Sequence, residues 1–184
     1  MAEFFDLRNR DGSKTGVVKE RTLVHRDGDL HGTAHVWILR PNGEKFDLLL
    51  QKRSDCKDAY PGCWDTSSAG HLPAGSDFLE SALRELEEEL GLTAQPEHLY
   101  FIGYRSRSDR ACFRGEPFLD NEYAAVYLLI RNVQRDELHL QEEEVADAQY
   151  FPIDWIFEHW DSPDFVHCLY QDELRMISAA YRTM

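Results

Sequence analysis

The clearest periodic pattern of apolar positions lies between residues 78 and 90. Apolar side chains recur there at spacings of four, three and four residues, which places them on one face of a helix. The residues on this face are Leu79, Leu83, Leu86 and Leu90. Asp77, followed three residues later by Glu80, resembles a capping box, and Gly91 is a typical helix C-cap. The pattern therefore predicts a helix over Phe78–Leu90.

Segments rich in β-branched and aromatic residues make up most of the remaining pattern and predict strands. Two turn signals, Asp11-Gly12 and Asn42-Gly43, each predict a β-hairpin. The predicted strands are Phe4–Arg8, Thr15–Val18, Ala34–Leu39, Phe46–Gln51, Leu99–Arg105, Glu122–Ile130 and Ala148–Phe151. The long apolar run in 122–130 favours a buried strand.

The order of these elements indicates the fold class. A C-terminal helix is predicted over about residues 165–182, and a shorter helix over Ile153–Trp160. Strands that are interrupted by one central helix and closed by C-terminal helices are typical of an α/β or α+β sandwich. No repeat or linker divides the chain, so we expect a single domain over residues 1–184. Its core is expected at about 31–160, after an N-terminal hairpin at 1–25.

Charge narrows the range of partners. The 184 residues include 34 acidic and 20 basic side chains, for a formal net charge of −14. A surface this acidic repels a bare polyanion, so nonspecific binding to nucleic acid is disfavoured. A small phosphorylated substrate is not excluded if a cation lies between the protein and the phosphate. No apolar run approaches the roughly 20 residues of a membrane span, so no membrane partner is expected.

The cysteines and the N-terminal sequence bear on location. Four cysteines are scattered along the chain without a C-x-x-C pair, which favours reduced thiols over a disulfide framework. The first residues show no basic segment followed by an apolar one, so no signal peptide is expected. We therefore predict a cytoplasmic protein. The sequence favours neither a monomer nor a dimer.

The opposite face of the predicted helix 78–90 is acidic. Glu85, Glu88 and Glu89 fall within about one turn of each other, beside Arg84. Clustered carboxylates repel one another unless a divalent cation binds them. Mg²⁺ or Mn²⁺ suits such oxygen ligands and can in turn bind substrate phosphates. The alternative is an ordinary solvent-exposed helix face in an acidic protein.

The spacing of these residues matches a known family pattern. The segment reads Gly70-x5-Ser76-x7-Arg84-Glu85-Leu86-x-Glu88-Glu89-x-Gly91-Leu92. It resembles the Nudix box, G-x5-E-x7-R-E-U-x-E-E-x-G-U, where U is a bulky aliphatic residue, and eight of the nine defined positions agree. The resemblance covers most of residues 22–160. It includes the segments 48–53, Pro61-Gly62-x-Trp64-Asp65, Glu122-Tyr123 and Glu144-Val145.

The resemblance implies a Nudix fold, with a mixed β-sheet sandwiched between helices. It also implies hydrolysis of a diphosphate linkage in a nucleoside diphosphate derivative or a related compound, with Mg²⁺ or Mn²⁺ as cofactor. By the family pattern, Glu85, Glu88 and Glu89 are metal ligands, and Arg84 orients one of them through a salt bridge. Glu122, from a neighbouring strand, is an additional ligand or base. The implied catalytic set is Arg84, Glu88, Glu89 and Glu122.

One position of the box departs from the family pattern. Ser76 occupies the place of its first glutamate. A serine cannot serve as a carboxylate ligand or base. Asp77 follows directly, but its predicted role as a helix cap competes with metal binding. The departure keeps open a third class of function, a Nudix module that binds a ligand without turning it over.

Histidines suggest a second group of metal ligands. Isopentenyl-diphosphate isomerases share the Nudix fold and hold a divalent metal with histidines and acidic residues at comparable places. By that resemblance, His25, His31, His71 and Glu122 are candidate ligands, and His35 lies nearby. The alternative is that these histidines form hydrogen bonds that order the N-terminal segment.

The same resemblance argues against isomerase activity. The isomerase needs a cysteine directly before its Gly-His pair, and this chain has Ala69 before Gly70-His71. Alanine has no thiol for proton transfer, so isomerisation by that mechanism is disfavoured. The sequence is most similar to a Nudix subgroup that combines the hydrolase helix with an isomerase-like set of histidines.

Basic residues near the expected site are candidates for binding substrate phosphate. They are Lys52, Arg53, Lys57 and Arg105, with Arg107 as a further candidate. Lys52 and Arg53 are consecutive on a predicted strand, so only one of them can point toward the site. The alternative for each base is a surface ion pair with the excess acid.

These patterns together predict a divalent-metal-dependent hydrolase that cleaves a diphosphate linkage in a small metabolite. Two alternatives stay open. One is an isopentenyl-diphosphate isomerase-like enzyme, which would exchange a proton at an allylic carbon without releasing phosphate. The other is a non-catalytic Nudix module.

Overall fold

The computed structural model describes residues 2–57, 59–113 and 116–184, with residues 112, 113, 116 and 117 described by their backbone alone. Met1, at the start of the predicted hairpin, lies outside these ranges. The strands are β1 Phe4–Arg8, β2 Lys14–Glu20, β3 His31–Asn42, β4 Lys45–Arg53, β5 Trp64–Asp65, β6 Ser68–His71, β7 Leu99–Phe113, β8 Glu116–Ile130 and β9 Val145–Pro152. The helices are α1 Arg21–Asp27, α2 Phe78–Leu90, α3 Ile153–Glu158 and α4 Gln171–Tyr181. Within the described ranges no helix is long and apolar enough to cross a membrane.

The nine strands of the described chain form a mixed sheet around β3. Along one edge, β3 pairs in parallel with β8 from His31↔Glu122 to Leu39↔Ile130. Along its other edge β3 pairs antiparallel with three strands in turn, namely β1, β6 and β4. Strand β7 pairs with β8, strands β5 and β9 pair with β4, and β2 pairs with β1. The switch of partners along β3 brings residues from β1, β6 and β8 to its N-terminal end.

Helices cover both faces of the sheet, because successive side chains of a strand point to opposite faces. Val36 and Ile38 of β3 pack in a core with α2, whereas Trp37 and Leu39 pack in a second core with α3 and α4. The helices supply Ala82, Leu86 and Leu90 to the first core and Ile156, Leu174 and Ile177 to the second. The predicted mixed sheet between helices, with an N-terminal hairpin and C-terminal helices, is therefore confirmed.

Helix α2 has the predicted bounds because both of its ends are capped. The Asp77 side chain accepts a hydrogen bond from the Glu80 amide at 2.8 Å. At the other end Gly91 adopts the left-handed conformation, with φ of 69°, and its amide donates to the Glu87 carbonyl at 3.0 Å. Glycine is the residue that adopts this conformation without steric cost.

The prediction for the C-terminal helix was wrong at its start. Helix α4 begins at Gln171, not near residue 165. The preceding segment is extended along β5, where the Trp64 amide donates to the Val166 carbonyl and the Cys168 amide donates to the Trp64 carbonyl. Phe165 is buried in the second core from this extended segment. Apolar spacing alone did not distinguish that packing from a helical turn.

The N-terminal hairpin is also shorter than predicted. It ends at Glu20, and a helix, α1, occupies Arg21–Asp27. Gly28 ends this helix in the left-handed conformation, with φ of 69°. One buried side chain of α1 is His25. The hairpin and α1 thus carry His25 to the N-terminal end of β3.

Candidate active site

Arg84 links the acidic face of α2 to strand β6. Its guanidinium donates to Glu85 Oε1 at 2.7 Å and to Glu88 Oε2 at 2.9 Å. It also donates to the carbonyl of His71 at 3.2 Å. Arg84 therefore forms salt bridges with two α2 carboxylates, and the same side chain links them to the backbone of a candidate histidine.

Glu89 is the buried member of the acidic face. Its Oε2 accepts hydrogen bonds from the Ala69 amide at 3.1 Å and from Gln51 Nε2 at 3.4 Å. Burial and the nearby charge of Glu85 raise the pKa of Glu89 to about 8. Burial likewise raises the pKa of Glu85 to about 7, against the opposing charge of Arg84. Two carboxylates that resist ionisation in this way would be stabilised as anions by a bound cation.

Four buried side-chain atoms converge at the N-terminal end of β3. They are His25 Nε2, His31 Nε2, His71 Nε2 and Asp120 Oδ1. All lie within 4.8 Å of one another, and none has a hydrogen-bond partner among the described residues. Unpaired polar atoms are costly in a protein interior. Three imidazole nitrogens and one carboxylate oxygen that share one centre form a donor set that fits a divalent metal.

The histidine rings are held in the form that binds metal. His31 Nδ1 lies 3.0 Å from the Asp29 carbonyl, which can only accept, so Nδ1 carries the proton and Nε2 is free to coordinate. Burial lowers the pKa of His25 to about 3 and lowers that of His71 well below its usual value. The ring of Phe5 stacks on His31 and His71, with centroid distances of 5.3 and 4.8 Å.

Asp120 is a member of this group that the sequence analysis missed. The predicted strand began at residue 122, whereas β8 begins at Glu116. Asp120 and Glu122 are two residues apart on this strand and therefore point to the same face. Extending the strand toward its N-terminus would have found Asp120.

Glu122 lies beside the histidine group but is not one of the four converging residues. Its Oε2 is buried without a hydrogen-bond partner in the described part of the chain, and Arg107 Nη1 is 3.6 Å away. Burial and the charge of Asp120 raise the pKa of Glu122 to about 7.

The predicted phosphate-binding bases differ in how far they are already paired. Arg53 donates to Asp65 at 2.9 Å and to the Ala59 carbonyl, and Lys57 donates to Glu144. Arg105 is paired with Asp172 and Glu173 of α4. Lys52 has no ion pair among the described residues. Substrate contact by these four bases stays a prediction. Lys52 could bind phosphate without first breaking an ion pair with a described residue, whereas the other three could not.

Comparisons with known proteins agree with this fold. A family model described as NUDIX domain matches residues 29–169. The chain therefore belongs to the Nudix family. It is 44% identical over 152 residues to Nudix hydrolase 3 of Arabidopsis thaliana, an alignment that covers 82% of this chain but 19% of that protein. An uncharacterised Nudix hydrolase of Clostridium acetobutylicum is 33% identical over 160 residues, which cover 87% of this chain and 75% of the relative.

Isopentenyl-diphosphate isomerases are also among the relatives of this chain. An isopentenyl-diphosphate Delta-isomerase of Escherichia coli is 26% identical over 164 residues, which cover 84% of this chain and 85% of that enzyme. Among solved structures, DR0079 from Deinococcus radiodurans aligns with a TM-score of 0.69 and 18% identity, over 98% of this chain and 100% of that chain. The relatives thus include both hydrolases and isomerases built on this fold.

Proposed function

We propose that this protein is a divalent-metal-dependent hydrolase that cleaves a diphosphate linkage in a small metabolite, such as a nucleoside diphosphate derivative. The observation that carries the proposal is the arrangement around Arg84, which holds Glu85 and Glu88 while it binds the carbonyl of His71. Family membership supports the same reaction class.

The residues present fit cations of two kinds. Carboxylate oxygens of α2 suit Mg²⁺ or Mn²⁺, and the ligands there would be Glu85, Glu88 and Glu89. A group dominated by imidazole suits Mn²⁺ or Zn²⁺, and the ligands there would be His25, His31, His71 and Asp120. When bound, such cations neutralise a diphosphate and stabilise the charge that develops on its oxygens.

The remaining roles fall to side chains of the chain itself. In the reaction a water oxygen forms a bond to phosphorus, the bond from phosphorus to the leaving phosphate breaks, and the water gives up a proton. Glu122 would accept that proton, since its Oε2 is buried and has no hydrogen-bond partner among the described residues. Arg84 would keep Glu85 and Glu88 oriented, and Lys52 would contact the phosphate.

A second candidate function is isomerisation of a prenyl diphosphate. The histidine group and the Escherichia coli relative favour it. Ala69 argues against it, because the residue that precedes Gly70-His71 has no thiol to transfer a proton. We therefore place hydrolysis first.

The deciding experiment is a phosphate-release screen. Purified protein is incubated with nucleotide sugars, dinucleotides, nucleoside di- and triphosphates and prenyl diphosphates, each with Mg²⁺ or Mn²⁺. We expect at least one substrate to be cleaved by the wild-type protein. Glu89→Gln should abolish that cleavage, while Glu87→Gln, the same change on an exposed position of α2, should not.

A parallel incubation of isopentenyl diphosphate in heavy water separates the two enzyme classes. Deuterium uptake without phosphate release would support the isomerase and overturn the hydrolase. Tight binding of a screened compound with neither product would instead support a non-catalytic module.

A further inference from the structure

His35 is a buried histidine that belongs to neither metal-binding group. It lies on β3, and its Nδ1 is 2.9 Å from Glu173 Oε1 of helix α4. The same oxygen accepts a hydrogen bond from Trp37 Nε1 at 2.7 Å, and the other oxygen accepts one from Arg105 at 3.1 Å. Glu173 is 1% exposed. Its carboxylate is thus fully engaged in positioning groups that point toward it from β3 and β7.

The hydrogen bond to Glu173 determines which atoms of the ring carry protons. An ionised carboxylate only accepts hydrogen bonds, so Nδ1 of His35 must donate. Burial by itself lowers the pKa of His35, but the charge and hydrogen bond of Glu173 outweigh burial and raise the pKa to about 9. Nε2 on the other side of the ring therefore also carries a proton. The His35 side chain is 8% exposed, and the hydrogen bond it forms among the described residues is the one from Nδ1 to Glu173.

His35 lies on β3 between strand β6, which contacts the α2 carboxylates, and strand β8, which carries Glu122. Across the β3–β6 pair His35 is opposite Ala69, whose amide donates to Glu89 of α2. On its other side β3 pairs with β8, which carries Glu122 on the same face of the sheet. The charged groups that face the ring are Glu173 of α4, Glu122 of β8 and Asp65 of β5, with Arg105 of β7 behind Glu173.

Ala69 is the neighbour of His35 across the β3–β6 pair. Its side chain is a single methyl group and lies on the same face of the sheet as His35, since residues directly opposite in an antiparallel pair share a face. A charged N–H donor on a slightly accessible ring, beside carboxylates that can hold cations, is suited to an anion that arrives with those cations.

We propose that His35 contacts the substrate, with its Nε2–H donating to a non-bridging phosphoryl oxygen of the diphosphate while Glu173 holds the ring in place from α4. This inference rests on the proposed function only in that the ligand is a diphosphate. It adds a phosphate contact on β3 and gives helix α4 a part in positioning it.

Two substitutions separate substrate contact from a structural role. In His35→Asn the amide nitrogen takes the place of Nδ1 and retains the bond to Glu173, but no group replaces Nε2. In His35→Gln the amide nitrogen reaches the place of Nε2. The control is Trp37→Phe, which removes the other donor to the same carboxylate oxygen and leaves His35 intact.

The probe is methylenediphosphonate, a diphosphate that cannot be hydrolysed, titrated by calorimetry in the presence of Mg²⁺. We expect His35→Asn to bind it about tenfold more weakly or worse, as loss of a hydrogen bond to a charged group implies. His35→Gln and Trp37→Phe should bind it within about threefold of wild type. Wild-type affinity in His35→Asn would overturn the proposal, and so would equal loss in Trp37→Phe.

A measurement on the wild-type protein covers the case in which a variant fails to fold. In ¹⁵N spectra of the histidine side chains, the Nε2 signal of His35 should shift when methylenediphosphonate and Mg²⁺ are added, and its Nδ1 signal should change little. An unchanged Nε2 signal overturns the contact. If the wild-type protein cleaves a substrate while this signal and the His35→Asn affinity stay unchanged, the His35 proposal alone fails. If the wild-type protein neither binds the probe nor cleaves any substrate, both proposals fail.

Discussion

A Cβ atom on Gly70 would lie 2.1 Å from the carboxyl carbon of Glu85, so the side chain of Glu85 occupies the space that any other residue at position 70 would fill. The backbone of Gly70 is not in the left-handed region. Glycine is therefore required here because the Glu85 side chain approaches the backbone closely, and not because of the backbone conformation. Gly70, the first residue of the box, lies on β6 and has no side chain. The carboxylate of Glu85, which extends from α2, therefore packs against the backbone of β6.

We expect Gly70→Ala to displace Glu85 and reduce turnover of the substrate found in the screen by roughly a hundredfold, the scale of loss for a group moved by about 1 Å. Because the histidine group does not use Gly70, its metal content should be unchanged. Steady-state kinetics and elemental analysis of the same preparation check both statements. Wild-type turnover in Gly70→Ala would mean that the position of Glu85 does not matter to the reaction.

Asp120→Asn tests the residue that we propose as the fourth ligand of the histidine group. The change retains the size of the side chain but removes the charge that pairs with the cation. We expect affinity for Mn²⁺ or Zn²⁺ to fall at least about tenfold, the effect that even outer partners of metal ligands commonly have. Isothermal titration of the chelator-treated protein measures the loss, and the exposed Asp136→Asn serves as the control. Equal affinity in the two variants would remove Asp120 from the metal site.

Ser76 is the place where the chain departs from the family pattern, and the structure indicates what that departure costs. Ser76 lies in the turn before α2, where its amide donates to the Pro73 carbonyl. Ser76 lies two residues before Phe78, the first residue of α2, and the rise of seven residues from Phe78 to Glu85 corresponds to about 10 Å of helix. We infer from this separation that a glutamate at position 76 would not reach the carboxylates around Glu85.

We therefore expect Ser76→Glu to change turnover by less than about twofold, since at that distance an added charge is largely screened. The initial rate of phosphate release from the best substrate measures this effect. A rise of tenfold or more would show instead that a carboxylate at the start of α2 takes part in catalysis. Ser76→Gln adds the same bulk without charge. A rise in turnover in Ser76→Glu but not in Ser76→Gln would be due to the carboxylate, and an equal rise in both would be due to the bulk.

The features that the sequence predicted correctly depend on residues that are close together along the chain, and the contacts that it missed join residues that are far apart. Helix α2 could be placed to the residue because its caps and apolar spacing are local. The histidines were found through family resemblance, but Asp120 was missed because the strand was started at Glu122. The bond between His35 and Glu173 joins residues 138 positions apart and leaves no local pattern. Such contacts depend on the tertiary packing of α4 against the sheet.

The pair formed by His35 and Glu173 predicts a pH dependence of stability. The raised pKa of His35, from 6.5 to about 9, contributes stability that is fully present below pH 6.5 and is lost as the pH rises through about 9. For Glu173, burial raises the pKa, but His35 and Trp37 outweigh it and lower the pKa from 4.5 to about 2. That contribution is present above pH 4.5 and is lost as the pH falls through about 2.

The stabilisation from this pair should therefore be greatest between pH 4.5 and 6.5. We expect Glu173→Gln to lower the free energy of unfolding by roughly 3 kcal/mol at pH 5.5, because it leaves a buried cation without its partner. The difference from wild type should shrink as the pH rises past 9, where His35 is neutral in both proteins. Urea unfolding at pH 5.5, 7.5 and 9.5 measures it, with the exposed Glu97→Gln as control. A difference that stays constant across this range would show that His35 and Glu173 do not form a charged pair.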